Sequence, residues 1–103
     1  MTGHNNEYKD YIESLYLDFP TMLTWQHSIT GEELRTGFCV ESHWLPDIRR
    51  LLESLALLTQ INSIDPPLFS DFKAKRGYLS IHYDGGDEMA DKLIEILEEK
   101  VNR

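Results

Sequence analysis

Between Asn5 and Asp18 the apolar positions Tyr8, Tyr11, Ile12, Leu15 and Tyr16 recur at the three- and four-residue steps of one helix face. Asn5 or Asn6 is the expected cap, and Pro20, which biases Phe19 away from helical dihedrals, ends this helix near Asp18. From Thr21 to Thr36 no period stands out, yet Met22, Leu23, Trp25 and Ile29 are apolar enough to be expected against a core. Gly37 to Glu41 reads as a short strand with Phe38 and Val40 on one face. A second helix is announced by Pro46 in a first-turn position. Its stripe runs Trp44, Leu45, Ile48, Leu51, Leu52, Leu55 and Leu58, to about Gln60.

Asp65-Pro66-Pro67 removes two backbone donors and predicts a loop. Phe69 to Lys75 and Tyr78 to Tyr83 then alternate as two strands of a hairpin turning at Lys75-Arg76-Gly77, with Gly77 free to take positive φ. In the second strand Leu79, Ile81 and Tyr83 share one face and Tyr78, Ser80 and His82 the other. Asp84-Gly85-Gly86-Asp87 punctuates its end. Asp87 is a suitable N-cap for a third helix with Ala90, Leu93, Ile94, Leu97 and Val101 on its apolar stripe. Two strands alone are marginal, so the predicted fold is a single α+β domain over residues 1–103. Three helices pack on a small antiparallel sheet, for which residues 37–41 are the candidate third strand.

A length of 103 residues fits that one domain, and 41% hydrophobic with 27% charged residues is ordinary globular usage. Eighteen acidic against ten basic side chains give −8 with neutral His, which disfavours direct binding to nucleic-acid phosphates. One cysteine, Cys39, cannot build a disulfide framework, and the first residues lack the basic and apolar regions of a signal peptide. The expected setting is the cytoplasm. No run approaches the length of a membrane span.

Few side chains point to chemistry. Cys39 and His43 have a spacing that can clasp zinc or form a nucleophilic pair, with His27 or His82 completing a site, but a full ligand set is absent and no positive charge adjoins the thiol. The simpler reading is a buried Cys39 with His43 supporting Trp44. Asp84-Gly85-Gly86-Asp87-Glu88 lacks the spacing of a calcium loop and reads as an acidic strand-to-helix turn, worth about 0.3–1 kcal/mol against the helix dipole. No metal or other cofactor is indicated. Lys73, Lys75 and Arg76 at the hairpin tip read as protection of a sheet edge.

The last element carries the clearest charge signal. Asp84, Asp87, Glu88, Asp91, Glu95, Glu98 and Glu99 meet only Lys92 as an opposing charge, a net −6. Steps of three and four residues gather most of them into one stripe. Such a stripe is either a solvated face or a docking surface for a protein partner with a basic groove, whose encounter its field would speed. Trp44, with Trp25 and Tyr78, is a candidate aromatic anchor for that contact, the simpler reading of each being a core or half-buried residue.

Three segments in order, Leu17-Asp18-Phe19-Pro20-Thr21-Met22-Leu23, Gly37-Phe38-Cys39-Val40-Glu41-Ser42-His43-Trp44 and Phe72-Lys73-Ala74-Lys75-Arg76-Gly77-Tyr78-Leu79-Ser80-Ile81-His82-Tyr83, together resemble a family of small phage and prophage proteins of unknown function. Those proteins show a tyrosine-proline near the first helix, glycine-phenylalanine followed by glycine-tryptophan, and a lysine-rich hairpin. Here Phe19 stands for the tyrosine, His43 for the second glycine and Arg76 for an aromatic residue. The family's cysteine-rich tail has no counterpart through Arg103, which weighs further against a metal. The resemblance implies a mobile-element setting and no catalytic activity. The leading expectation is therefore a non-enzymatic accessory protein that binds and inhibits or modulates another protein, a host-defence complex or a toxin. The rivals are a small metal-dependent or hydrolytic enzyme using Cys39 and His43, and a structural protein self-associating through the hairpin edge. Oligomeric state is left open.

Overall fold

The computed structural model describes residues 3–63 and 65–102. In chain order these form α1 (Gly3–Asp18), β1 (Thr24–Gln26), β2 (Glu33–Arg35), β3 (Gly37–Cys39), a 3₁₀ turn (Ser42–Trp44), α2 (Leu45–Asn62), β4 (Leu68–Lys75), β5 (Tyr78–Asp84) and α3 (Glu88–Val101). The fold is α+β. Among the described residues no helix is long and apolar enough to cross a membrane.

The long elements form for local reasons. In α2, Pro46 occupies the first turn and Leu45, Ile48, Leu51, Leu52 and Leu55 are buried along one face. In α3, the Asp87 carboxylate accepts from the Ala90 amide at 3.0 Å, closing the cap. β4 and β5 join through Arg76 and Gly77, at φ 54° and 83°, the left-handed pair a two-residue hairpin turn requires. The register shifts between Phe69 and Asp71. This bulge lets Phe69 and Phe72, three apart, both point into the core, where their rings stack at 4.9 Å. α1 starts at Gly3, so Asn5 and Asn6 lie inside the helix and do not cap it.

Residues 21–36 were the least patterned stretch, and they hold a hairpin of two three-residue strands, β1 and β2. Met22 and Leu23 enter the core as expected and Trp25 is half-buried. Ile29, expected inward, is 87% exposed in the connection between the two strands. Thr36 then acts as a pivot between two sheets. Its amide donates to Leu23 O (2.9 Å), its hydroxyl donates to Phe69 O (2.5 Å), and its carbonyl accepts from the Tyr16 hydroxyl. Beyond it the chain continues as β3, which pairs with β4 in parallel, Phe38 opposite Phe72. The third strand is thus present but shorter than Gly37–Glu41, and its direction makes the sheet mixed, with α2 as the crossover that parallel pairing demands.

In the order β3-β4-β5, helix side chains bond backbone groups at both ends of β3 and along the first half of β5. Just past β3, the Tyr8 hydroxyl of α1 donates to Val40 O at 2.9 Å and accepts from Val40 N at 3.2 Å, four residues on from the Tyr16 contact at Thr36. Along β5, Asn102 just past α3 accepts from Leu79 N (2.7 Å) and donates to Leu79 O (3.0 Å), while Glu98 accepts from Ile81 N (3.2 Å). Lys73 is not on an edge at all, since β4 is paired there with β3 on one side and β5 on the other.

Thr36→Val keeps the volume but leaves the Phe69 carbonyl without its donor, so urea unfolding should show a loss of about 1–3 kcal/mol. Asn102→Ala uncovers both backbone groups of Leu79. A loss of about 1–2 kcal/mol is expected, together with stronger concentration-dependent association in sedimentation velocity than that of the native chain.

Candidate functional site

The contacts along β5 decide which carboxylates of α3 remain available. A helix turns 100° per residue, so Asp87, Asp91 and Glu98 fall on the side next to β5. Asp87 caps the helix, Glu98 holds Ile81 N, and Asp91 accepts from the Tyr83 hydroxyl at 2.7 Å. Asp84, at the end of β5, accepts from the Gly85 amide at 3.1 Å. The next sector round the helix carries Glu88, Glu95 and Glu99, all exposed. It is followed by Lys92 and by Met89 and Ile96, which are 56% and 59% exposed.

None of these seven carboxylates is in an ion pair among the described residues. The paired cations are drawn elsewhere: Arg35 to Glu13 (3.0 Å), Arg49 to Asp18 (2.7 Å) and Lys100 to Asp47 (3.2 Å). The resulting field acts on its own neighbours. Tyr83 is pushed up from 10.0 to about 12, first by burial, then by its bond to Asp91 and by the charges of Asp91, Glu95 and Glu98.

The turn that carries Asp84 and Asp87 depends on its glycines. Gly85 and Gly86 both have φ near 80°, and a Cβ on Gly86 would lie 3.2 Å from the Cβ atoms of Ala90 and Pro67. It is a tight strand-to-helix connection, as expected from its residues.

Trp44 does not take the anchor role. It is 4% exposed, packed in the core under α2, and has no surface to offer a partner. Tyr78 is exposed at the hairpin turn. Cys39 is exposed, not buried, and lies in register with Lys73 of β4. His43 faces Glu41 at 3.6 Å and leans on Trp44, with ring centres 5.4 Å apart. His27 accepts from the amides of Ile29 and Thr30 in the β1–β2 connection, and His82 pairs with the Ser80 hydroxyl at 3.2 Å. Among the described residues no three His, Cys, Asp or Glu side chains gather as metal ligands.

Sequence reasoning missed the division of the acidic stripe into inner and outer sectors. The signal was the phase of Asp87, Asp91, Glu98 and Asn102, which recur at helical steps on the flank of the apolar stripe. Compared with known proteins, the chain matches no family model, no curated protein and no solved structure.

The raised Tyr83 gives a pH dependence with a definite sign. Its folded form holds the proton more tightly than the unfolded chain, so its contribution is complete below pH 10 and is lost as pH rises toward about 12. The melting temperature of the native protein should fall across that window, and Tyr83→Phe should flatten the fall.

Proposed function

We propose that this is a non-enzymatic accessory protein of the phage or prophage type that its sequence resembles, working in the cytoplasm by binding a protein partner with a basic surface and inhibiting or modulating it. The observation that carries this reading is the outer sector of α3. Three carboxylates, Glu88, Glu95 and Glu99, stand exposed without ion-pair partners beside the exposed side chains of Met89 and Ile96.

A negative sector beside apolar side chains has the composition of a docking patch: charge steers the encounter and apolar area holds the complex. The same field opposes contact with a phosphate backbone, so a nucleic-acid-handling target would be met on its protein channel, with the carboxylates in the place of phosphates. A basic toxin fits the same chemistry. Self-association through the hairpin is not favoured, because Asn102 and Glu98 already occupy that edge.

The test is capture from the native host by the native protein and by Glu88→Lys/Glu95→Lys/Glu99→Lys, read by mass spectrometry. These three side chains make no hydrogen bond within the described residues, so the variant should melt close to the native temperature. A partner with a basic face should be recovered by the native protein, weakened by salt, and bound about tenfold or more weakly by the variant. Equal recovery by both proteins, or no partner for either, would refute the reading.

A further inference from the structure

Two clefts at one end of the sheet, about 780 Å³ and about 680 Å³, meet at Leu68 and Asp84. The first lies between the β1–β2 hairpin and strands β4 and β5. The second lies between the Asp65–Pro66 segment and the glycine turn before α3. Four carboxylates line them, Glu33, Asp65, Asp84 and Asp87, and no lysine or arginine lines either. None of the four is in an ion pair among the described residues.

One wall is Trp25. Its indole N–H has no acceptor among the described residues, but it is shut off from solvent and is not offered to the cleft, so what Trp25 contributes there is ring surface. The wall also includes the outer edge of β1. Leu23 O is taken by Thr36 N, and His27 N donates to Glu32 O, so residues 23, 25 and 27 face β2 and the backbone groups of Thr24 and Gln26 turn away from it. Met22 O still meets Phe69 N of β4 at 2.8 Å, and beyond that bond the cleft opens between the two strands.

We propose that this trough binds an extended peptide segment carrying Lys or Arg side chains. An extended segment beside β1 gains main-chain bonds to Thr24 and Gln26, the mode in which a peptide adds to a strand edge. Side chains on one face of such a segment recur at about 6.8 Å, a spacing that brings successive basic groups past carboxylates at both ends of the trough. No lysine or arginine of the lining competes for those carboxylates, of which Asp84 and Asp87 also accept from the amides of Gly85 and Ala90. This site is separate from the outer face of α3, which Glu88, Glu95 and Glu99 form, and either can fail alone.

Isotope-labelled native protein titrated with a peptide of alternating arginine and threonine, followed by amide and indole NMR, tests the proposal. Saturable, salt-sensitive shifts are expected at Thr24, Gln26, Glu33 and Asp84 and at the indole N–H of Trp25, with that of Trp44 unmoved. Glu33→Gln/Asp84→Asn, which retains the oxygen that accepts from Gly85, should bind about tenfold more weakly with an otherwise unchanged spectrum. Three results overturn the trough: no shifts up to millimolar peptide, equal binding of the same peptide with glutamine for arginine, or shifts confined to Glu88, Glu95 and Glu99. The last of these would leave the α3 docking face standing.

Discussion

A three-stranded sheet has two edges, and in this protein each is met by hydrogen-bonding side chains from a helix. The inner helix faces bury Leu15, Ile48, Leu52, Leu55 and Ile94 against Phe69 and Phe72, and that burial drives collapse. Burial alone does not satisfy the outward amides and carbonyls of β3 and β5, which would otherwise invite another strand. Tyr8 and Tyr16 reach one edge from α1, and Glu98 and Asn102 reach the other from the end of α3. The chemistry fits each position. The Asn102 amide has the donor and acceptor of a peptide group and pairs with both backbone groups of Leu79, as a neighbouring strand would. The Glu98 carboxylate only accepts, and it sits on an N–H.

That arrangement sorts the charges. Carboxylates facing β5 are engaged in capping, edge closure and the bond to Tyr83, and they are stabilised where the helix dipole and the strand amides point positive ends at them. Lys100 in the last turn suits the opposite end of the dipole and ties α3 to Asp47 of α2. Among the described residues, the carboxylates of α3 left without a bond are those of the outer sector. The −8 of the chain is therefore not spread evenly: unpaired carboxylates gather on the outer face of α3 and along the trough beside it.

Elements whose pattern is local were legible in the sequence. The leucine stripe of α2, the Asp87 cap of α3 and the Arg76-Gly77 turn each rest on contacts within a few residues, and each is where periodicity and turn chemistry put it. β1, β2 and β3 were not legible in the same way because each has three residues and exists through a distant partner: Phe38 pairs with Phe72, and Thr36 bonds Phe69. A period cannot be read from three positions. Ile29 and Cys39 were misplaced for the same reason, since hydrophobic type suggests burial while a hairpin connection and an exposed strand position decide otherwise. Trp44 was placed correctly on the α2 stripe, and that placement is itself why it cannot also anchor a partner. For the acidic residues, composition supplied the field but not its direction, because seven carboxylates look alike until β5 selects those it needs.

Edge closure and surface presentation are therefore one problem for α3. The bonds from Glu98 and Asn102 to β5, with the Tyr83–Asp91 bond nearer the other end, fix the helix about its own axis. A helix fixed in rotation holds Glu88, Glu95, Glu99, Met89 and Ile96 at constant angles to the body of the protein, and a preorganised face loses less entropy on binding than one that must be ordered at contact. The turn from Asp84 to Asp87, where the two clefts join, leads directly into the same helix. A change at Asn102 should accordingly be felt at both surfaces, although the residue lines neither cleft and lies outside the acidic sector, because what it controls is the angle at which the rest of the helix is shown.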